Sequence, residues 1–239
     1  MSGFVIVHVP HAGIEIPPKY RESIVLNDEE LQAELVYLTD AFCDELYGLD
    51  QVKLIKVPIS RLVCDVERFR DDKNEPFAAE GRGLMYTHTH DGRLLRNFDN
   101  ELRNDILKEY YDPHHKMLTE AVDAALESYG KCLIIDGHSF YDEGFPDFCI
   151  GTDDFHTPPS LADALRKEVE ASGFTCAFNT PYSGTITPMK HYGKDKRVTS
   201  VMIETNRRLY QLNDRIEKAS GFKAICELCH RLVRCAVSE

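Results

Sequence analysis

KCLIIDGHSF, residues 131–140, is the stretch whose reading decides the fold. Cys132 to Ile135 is an apolar run with no polar interruption, the pattern of a strand buried on both faces in the middle of an α/β sheet. Ligands of such sheets collect beyond the carboxyl ends of the strands. Asp136-Gly137-His138-Ser139 stands at that end. Asp136 and His138 are therefore candidates for chemistry, with Gly137 permitting a tight backbone turn. The same residues also suit a plain strand end with a hydrogen-bonded aspartate and a solvated histidine, so the rest of the chain has to decide.

Outward from this strand, helical and extended patterns alternate. Phe4 to Val9 is β-branched and stopped by Pro10, which predicts a first strand. Asn27 or Asp28 can cap a helix that starts near Glu29, carries Leu31, Leu35, Leu38, Phe42 and Leu46 at helical spacing, and stops at Gly48. Val52 to Val57 reads as a strand, and Ser60 to Asp65 as a further extended piece. Arg68 to Gly92 is polar and longer than an ordinary connection, which marks a functional loop or lid. A helix is expected from Asn97 to Tyr111, broken by Pro113, with a second running to Tyr129. Downstream, strands are expected at Phe148–Gly151, Phe174–Phe178 and Val198–Glu204. Ser160 would cap a helix to Ser172, Pro181 to Lys196 is a loop, and a last helix spans about Leu212 to Val237. Alternation of this kind is α/β, a mixed, mostly parallel central sheet between layers of helices. No repeat or composition break divides the chain, so one domain over 1–239 is expected.

The 239 residues, 43% hydrophobic and 28% charged, suffice for a sizeable core. A formal net charge of −12 argues against nucleic acid or an anionic membrane surface as partner. No apolar run reaches membrane-spanning length and no secretory leader is evident, so a cytoplasmic protein is expected. The eight cysteines lie mostly in apolar segments, the pattern of buried reduced thiols.

Three strand ends carry polar residues of one chemical type: His11 after the first, Asp136 and His138 after the central one, Glu204 after the late one. Two imidazoles and a carboxylate with one position left for water are the ligand pattern of a catalytic zinc ion, and a further carboxylate beside that water serves as general base. At this point the residues carry a likeness. HVPHAG at 8–13, SRLVCDVERF at 60–69, DGHSF at 136–140, NTPYSG at 179–184 and IETNRRLY at 203–210 resemble, in order, the motifs of the N-formylglutamate amidohydrolase family. The resemblance implies a three-layer α/β sandwich similar to that of zinc carboxypeptidases. It also implies hydrolysis of an N-acyl amino acid, typically N-formyl-L-glutamate, in amino-acid catabolism.

Carried over by position, the resemblance makes His11 and His138 the imidazole ligands of a single zinc ion. Asp40 is the third ligand, with Glu15, four residues after His11, as the alternative. Glu204 becomes the general base and Asp136 the acceptor that orients an imidazole. A small anionic substrate with two carboxylates calls for arginine, whose fork fits a carboxylate bidentately. Arg61, Arg68, Arg82 and Arg207 are the candidates, with Asn179 lining the same cleft; Arg61–Asp65 and Arg68–Glu67 could equally be surface pairs. Glu67 stands where the family usually has Asn, and Thr205 where an apolar residue is more usual. The competing readings are hydrolysis of another N-acyl amino acid or small peptide, and a metal- or ligand-binding protein of the same fold without turnover. Cys226-x-x-Cys229-His230 matches a haem-attachment string but falls in an amphipathic helical pattern, which favours packing. His8 reads as a sheet histidine, His88 and His90 as loop residues, and His115 as a possible cleft residue.

Overall fold

The computed structural model describes residues 4–238. In chain order the elements are β1 (Val5–Val9), α1 (Pro18–Arg21), α2 (Asp28–Leu38), α3 (Cys43–Tyr47), β2 (Lys53–Lys56), α4 (Asn100–Ile106), α5 (Asp112–Tyr129), β3 (Cys132–Phe140), β4 (Phe148–Gly151), α6 (Pro159–Ala171), β5 (Cys176–Phe178), β6 (Val198–Asn206) and α7 (Phe222–Ser238). The chain groups into two compact units. One holds Met1–Val9, Asp40–Ile55 and Leu118–Glu239, the other Pro10–Thr39 and Lys56–Met117. Each is assembled from separated segments, so no linker composition marks the division.

The first unit is built on the sheet, whose strand order is β2-β1-β3-β6-β4-β5. β1, β3 and β6 run parallel, β4 runs antiparallel to β6, and β5 runs parallel to β4. This is the mixed, mostly parallel sheet expected of the α/β class. Side chains alternate across a strand, so Cys132, Ile134, Asp136 and His138 share one face of β3. The apolar end of that face, with Ile6, Cys132, Ile134 and Val198, packs under Leu118, Val122 and Ala125 of α5. The opposite face meets α3 and α7: Tyr47 lies against Gly137, and Thr205 Oγ1 is 3.7 Å from Cys229 Sγ. The sheet thus stands between helical layers, burying strands on both sides as their continuous apolar runs require.

The second unit is richer in loops. Tyr20, Val57, Val63, Leu84, Ile106 and Tyr111 form one apolar core, and Ile24, Leu31, Leu38, Leu62 and Leu95 another. Its most regular helix, α2, opens on a capping box: Glu30 N–H donates to Asn27 Oδ1 at 3.0 Å, and Asn27 N–H to Glu30 Oε2 at 3.1 Å.

Several local expectations change. The helix expected from Glu29 to Gly48 is broken between Leu38 and Cys43, with Phe42 at φ 65°, so the apolar spacing spans two helices and a kink. Residues 60–65 are a turn rather than an extended piece, with Val63 and Cys64 N–H both bonded to Ser60 O. Pro113 breaks nothing. A π-turn over Leu107–Tyr111 leads directly into α5, and the helix continues through Pro113. Pro159 rather than Ser160 opens α6, and α7 starts only at Phe222. β3 does not stop where its apolar run ends at Ile135 but continues through Phe140, because β6 pairs with it over its whole length. Gly137 therefore makes no turn.

Candidate active site

Toward its carboxyl end, the face of β3 that packs under α5 becomes polar. His8 stands in register with Asp136, and His138 with Glu204. Asp136, His138 and Glu204, expected just beyond strand ends, are instead inside strands. Asp136 Oδ1 lies 2.8 Å from His8 Nδ1 and 3.1 Å from His138 Nε2, while Oδ2 accepts the Ile186 N–H at 3.1 Å. Burial by itself would raise the Asp136 carboxyl, but the imidazoles of His138 and His8 outweigh it and hold the group below the usual carboxylate range. His8 is a sheet histidine as expected, and its partner is a residue of the site.

Asp40 sits in the kink between α2 and α3, buried at 2% exposure, with Oδ2 3.1 Å from His138 Nδ1. The kink that interrupts the helix delivers this carboxylate to the imidazole. Two ligands on one tetrahedral zinc at about 2.0–2.1 Å stand roughly 3.3 Å apart, so the Asp40–His138 spacing and donor types fit a shared ion. Glu15, the alternative ligand, is exposed, and its backbone bridges to Ile59. Glu204 is 6% exposed, between His138 on β3 and Cys149 on β4 by register. The departure at Thr205 has a local reason: Tyr47 Oη lies within 3.1 Å of His138 O, Ile203 O and Thr205 Oγ1, so the hydroxyl helps hold β3 against β6.

In the second unit, His11 lies two residues past β1 and is 2% exposed. Its Nε2 is 2.8 Å from Asp65 Oδ1 and 3.7 Å from Glu67 Oε2. Asp65 is fully buried. Arg61 donates to its Oδ2 from Nη2 at 2.7 Å and Nε at 3.1 Å, Tyr86 donates its hydroxyl at 2.8 Å, and Arg68 Nε is 3.4 Å away. Burial favours a raised Asp65 carboxyl, but Arg61, His11 and Arg68 hold it well below the usual range. The Arg61–Asp65 pair is therefore interior and not on the surface, and Arg68 pairs with Asp65 and Glu75 in place of Glu67. Asp65 and Tyr86 escape a reading of the sequence for site residues. The available signal was an acid four residues after an arginine within an apolar segment.

Arg68 and Arg82 both lie over the ring of Phe77, at 4.3 and 5.2 Å, and Arg82 also pairs with Glu80. Arg207 opens a 3-10 turn directly after β6 and is buried. Asn179, at φ 53°, spends its amide on Thr152 and is exposed. The imidazole of His115 meets the Val66 carbonyl at 2.8 Å and packs on Tyr111. His90 is held by buried Glu34, at 2.6 Å from Nδ1, and stacks on Tyr37. Cys226, Cys229 and His230 lie within α7, with Cys229 fully buried. Among the described residues, no helix is long and apolar enough to cross a membrane.

Comparison with known proteins bears on the fold and the family. The chain is 27% identical over 224 residues to an N-formylglutamate deformylase of Pseudomonas putida, covering 86% of this chain and 81% of that protein. A deformylase of the same name from Pseudomonas aeruginosa is 28% identical over 218 residues, covering 84% and 79% respectively. The crystal structure of N-formylglutamate amidohydrolase from Ralstonia eutropha JMP134 superposes with a TM-score of 0.85 at 23% identity, over 98% of this chain and 92% of that one, which establishes the fold. A sequence model of the N-formylglutamate amidohydrolase family matches residues 4–211. With most of its length matched, the chain belongs to the N-formylglutamate amidohydrolase family.

Proposed function

We propose that this protein hydrolyses the formyl amide of N-formyl-L-glutamate to formate and L-glutamate, using one zinc ion. The observation that carries the reading is the meeting of Asp40, His138, Asp136 and Glu204 at one end of one sheet face in a chain of this family. Asp40 and His138 would hold the ion, and the motif at 8–13 makes His11 the proposed second imidazole. Asp136 would orient the His138 ring, as carboxylates behind ligating histidines do. When bound, zinc supplies a Lewis acid that lowers the pKa of a water molecule and polarises a carbonyl. Glu204 accepts a proton from the water that attacks the formyl carbon. It delivers that proton to the glutamate nitrogen as the C–N bond breaks. Arg61, Arg68, Arg82, Arg207 and Asn179 are proposed to bind the substrate. Arg61 and Arg68 are the best supported for its carboxylates, because a buried acid already fixes their orientation. A cytoplasmic, catabolic setting is consistent with this chemistry.

Metal analysis combined with a formate-release assay tests the proposal. The expected result is about one zinc per chain, a ratio set by a single ligand set of this type, with hydrolysis lost on chelation and restored by zinc. Zinc-loaded protein that releases no formate from N-formylglutamate would overturn it.

A further inference from the structure

We infer that Asp65 is a positioning residue with a separate duty for each carboxylate oxygen: Oδ1 sets which nitrogen of His11 carries the proton, and Oδ2 sets the plane of the Arg61 guanidinium toward an anionic substrate. This rests on the reading of His11 as a zinc ligand and Arg61 as a substrate contact.

Asp65 follows the turn at 60–63, and its own N–H is tied to Leu84 O at 2.9 Å, so the carboxylate hangs from fixed backbone. Oδ1 accepts from His11 Nε2 at 2.8 Å and from the Glu67 N–H at 3.1 Å. Oδ2 accepts from Arg61 Nη2 and Nε at 2.7 and 3.1 Å and from the Tyr86 hydroxyl at 2.8 Å. A carboxylate has about four acceptor positions, and these donors fill them, which leaves Asp65 no capacity to ligate a metal or take a proton. Its influence must pass through its partners. A histidine that donates from Nε2 presents Nδ1 as its acceptor, the nitrogen that could then meet a metal. Arg61 spends its Nε–Nη2 edge on a single oxygen, and that contact fixes the plane in which the rest of the fork points. Tyr86 buttresses the same oxygen from the interior, where it is 1% exposed. The two duties are divided between the two oxygens, so they can be perturbed one at a time.

The test uses Asp65→Asn, which keeps the shape and removes the anionic acceptor, in the full chain. In zinc-stripped protein, nitrogen-15 NMR of the imidazoles, with His11 assigned by its loss in His11→Gln, is expected to show the Nε2–H tautomer in the wild type and a mixture in Asp65→Asn. Zinc affinity, read by competition with a chromophoric chelator, should weaken about 10–100-fold, and KM for N-formylglutamate should rise. Arg61→Lys should raise KM and leave the tautomer and zinc affinity unchanged. If Asp65→Asn does not fold, Tyr86→Phe, which removes one donor from Oδ2 alone, should raise KM without touching the tautomer. A folded Asp65→Asn with the wild-type tautomer would overturn the inference, as would a tautomer change in Arg61→Lys or Tyr86→Phe. If the wild type proves not to hydrolyse N-formylglutamate, the functional reading fails. The tautomer measurement, made without zinc or substrate, would still decide whether Asp65 controls His11.

Discussion

Gly137→Ala introduces one methyl group at the point where β3 passes closest to α3. An ideal Cβ there falls 2.5 Å from Cδ2, 2.9 Å from Cγ and 3.1 Å from Cε2 of Tyr47. Ordinary contact begins at 3.4 Å, so strand and ring must separate by 3.4 − 2.5, about 0.9 Å. Tyr47 is fully buried, and its hydroxyl is held at 2.6 Å by Thr205 and at 3.0 Å by Ile203 O, so the ring has little room to yield. Overpacking of a tight core costs about 1–3 kcal/mol, and disturbing the bonds of one buried hydroxyl costs about 1–3 kcal/mol more. Together they predict a loss of roughly 2–6 kcal/mol, or a fall in Tm of roughly 4–24 °C for a chain of this size. Gly137 also lies between Asp136 and His138, so the same displacement reaches the proposed site. A shift of order 1 Å in such a group can cost about 100-fold in rate. Urea unfolding at equilibrium reads the first effect, and formate release below the unfolding transition reads the second. A folded Gly137→Ala protein that loses less than about 0.5 kcal/mol, the scale of an ordinary surface substitution, would refute the packing argument.

Other outcomes follow from the same contacts. Glu204→Gln should keep its zinc, measured by metal analysis, while turnover falls about 100- to 10,000-fold, the range for loss of a proton-transferring group. Asp147 bonds Arg208 Nη2 at 2.6 Å and the Thr175 N–H and hydroxyl at 2.8 and 2.7 Å. Burial would raise this carboxyl, but those partners hold it below its ordinary value. A depressed folded pKa contributes stability above the unfolded value near 3.9 and loses it as pH falls through the folded value. The urea midpoint of Asp147→Asn should therefore lie below that of the wild type at pH 7, with the gap closing as pH drops below about 4. Asn27→Ala dismantles the capping box of α2 and should cost about 0.5–2 kcal/mol in urea unfolding.

What could be read from the chain alone followed its local chemistry. A continuous apolar run placed β3, β-branched residues placed β1, and Asn27 or Asp28 as a cap placed the start of α2. The kink before Cys43 was hidden because Leu31, Leu35, Leu38, Phe42 and Leu46 keep helical spacing through it, and only the left-handed backbone at Phe42 reveals the break. Pro113 misled for the opposite reason, since a π-turn rather than a break absorbs it. In the candidate site, Asp136 and His138 were nameable because DGHSF contains them, and Asp40 because its position resembles an acidic one of the family. Asp65 was not, although it lies in an apolar segment, because its value comes from His11, 54 residues away.

The alternation of β3 has a consequence for how the protein comes into being. Apolar side chains under α5 and the polar residues of the candidate site occupy the same face of the same strand, paired residue for residue with β6. A slip of one residue would turn Asp136 and His138 toward α3 and move Gly137 out from beneath Tyr47, which the core could not tolerate. Correct register of the sheet and assembly of the candidate site are therefore one event.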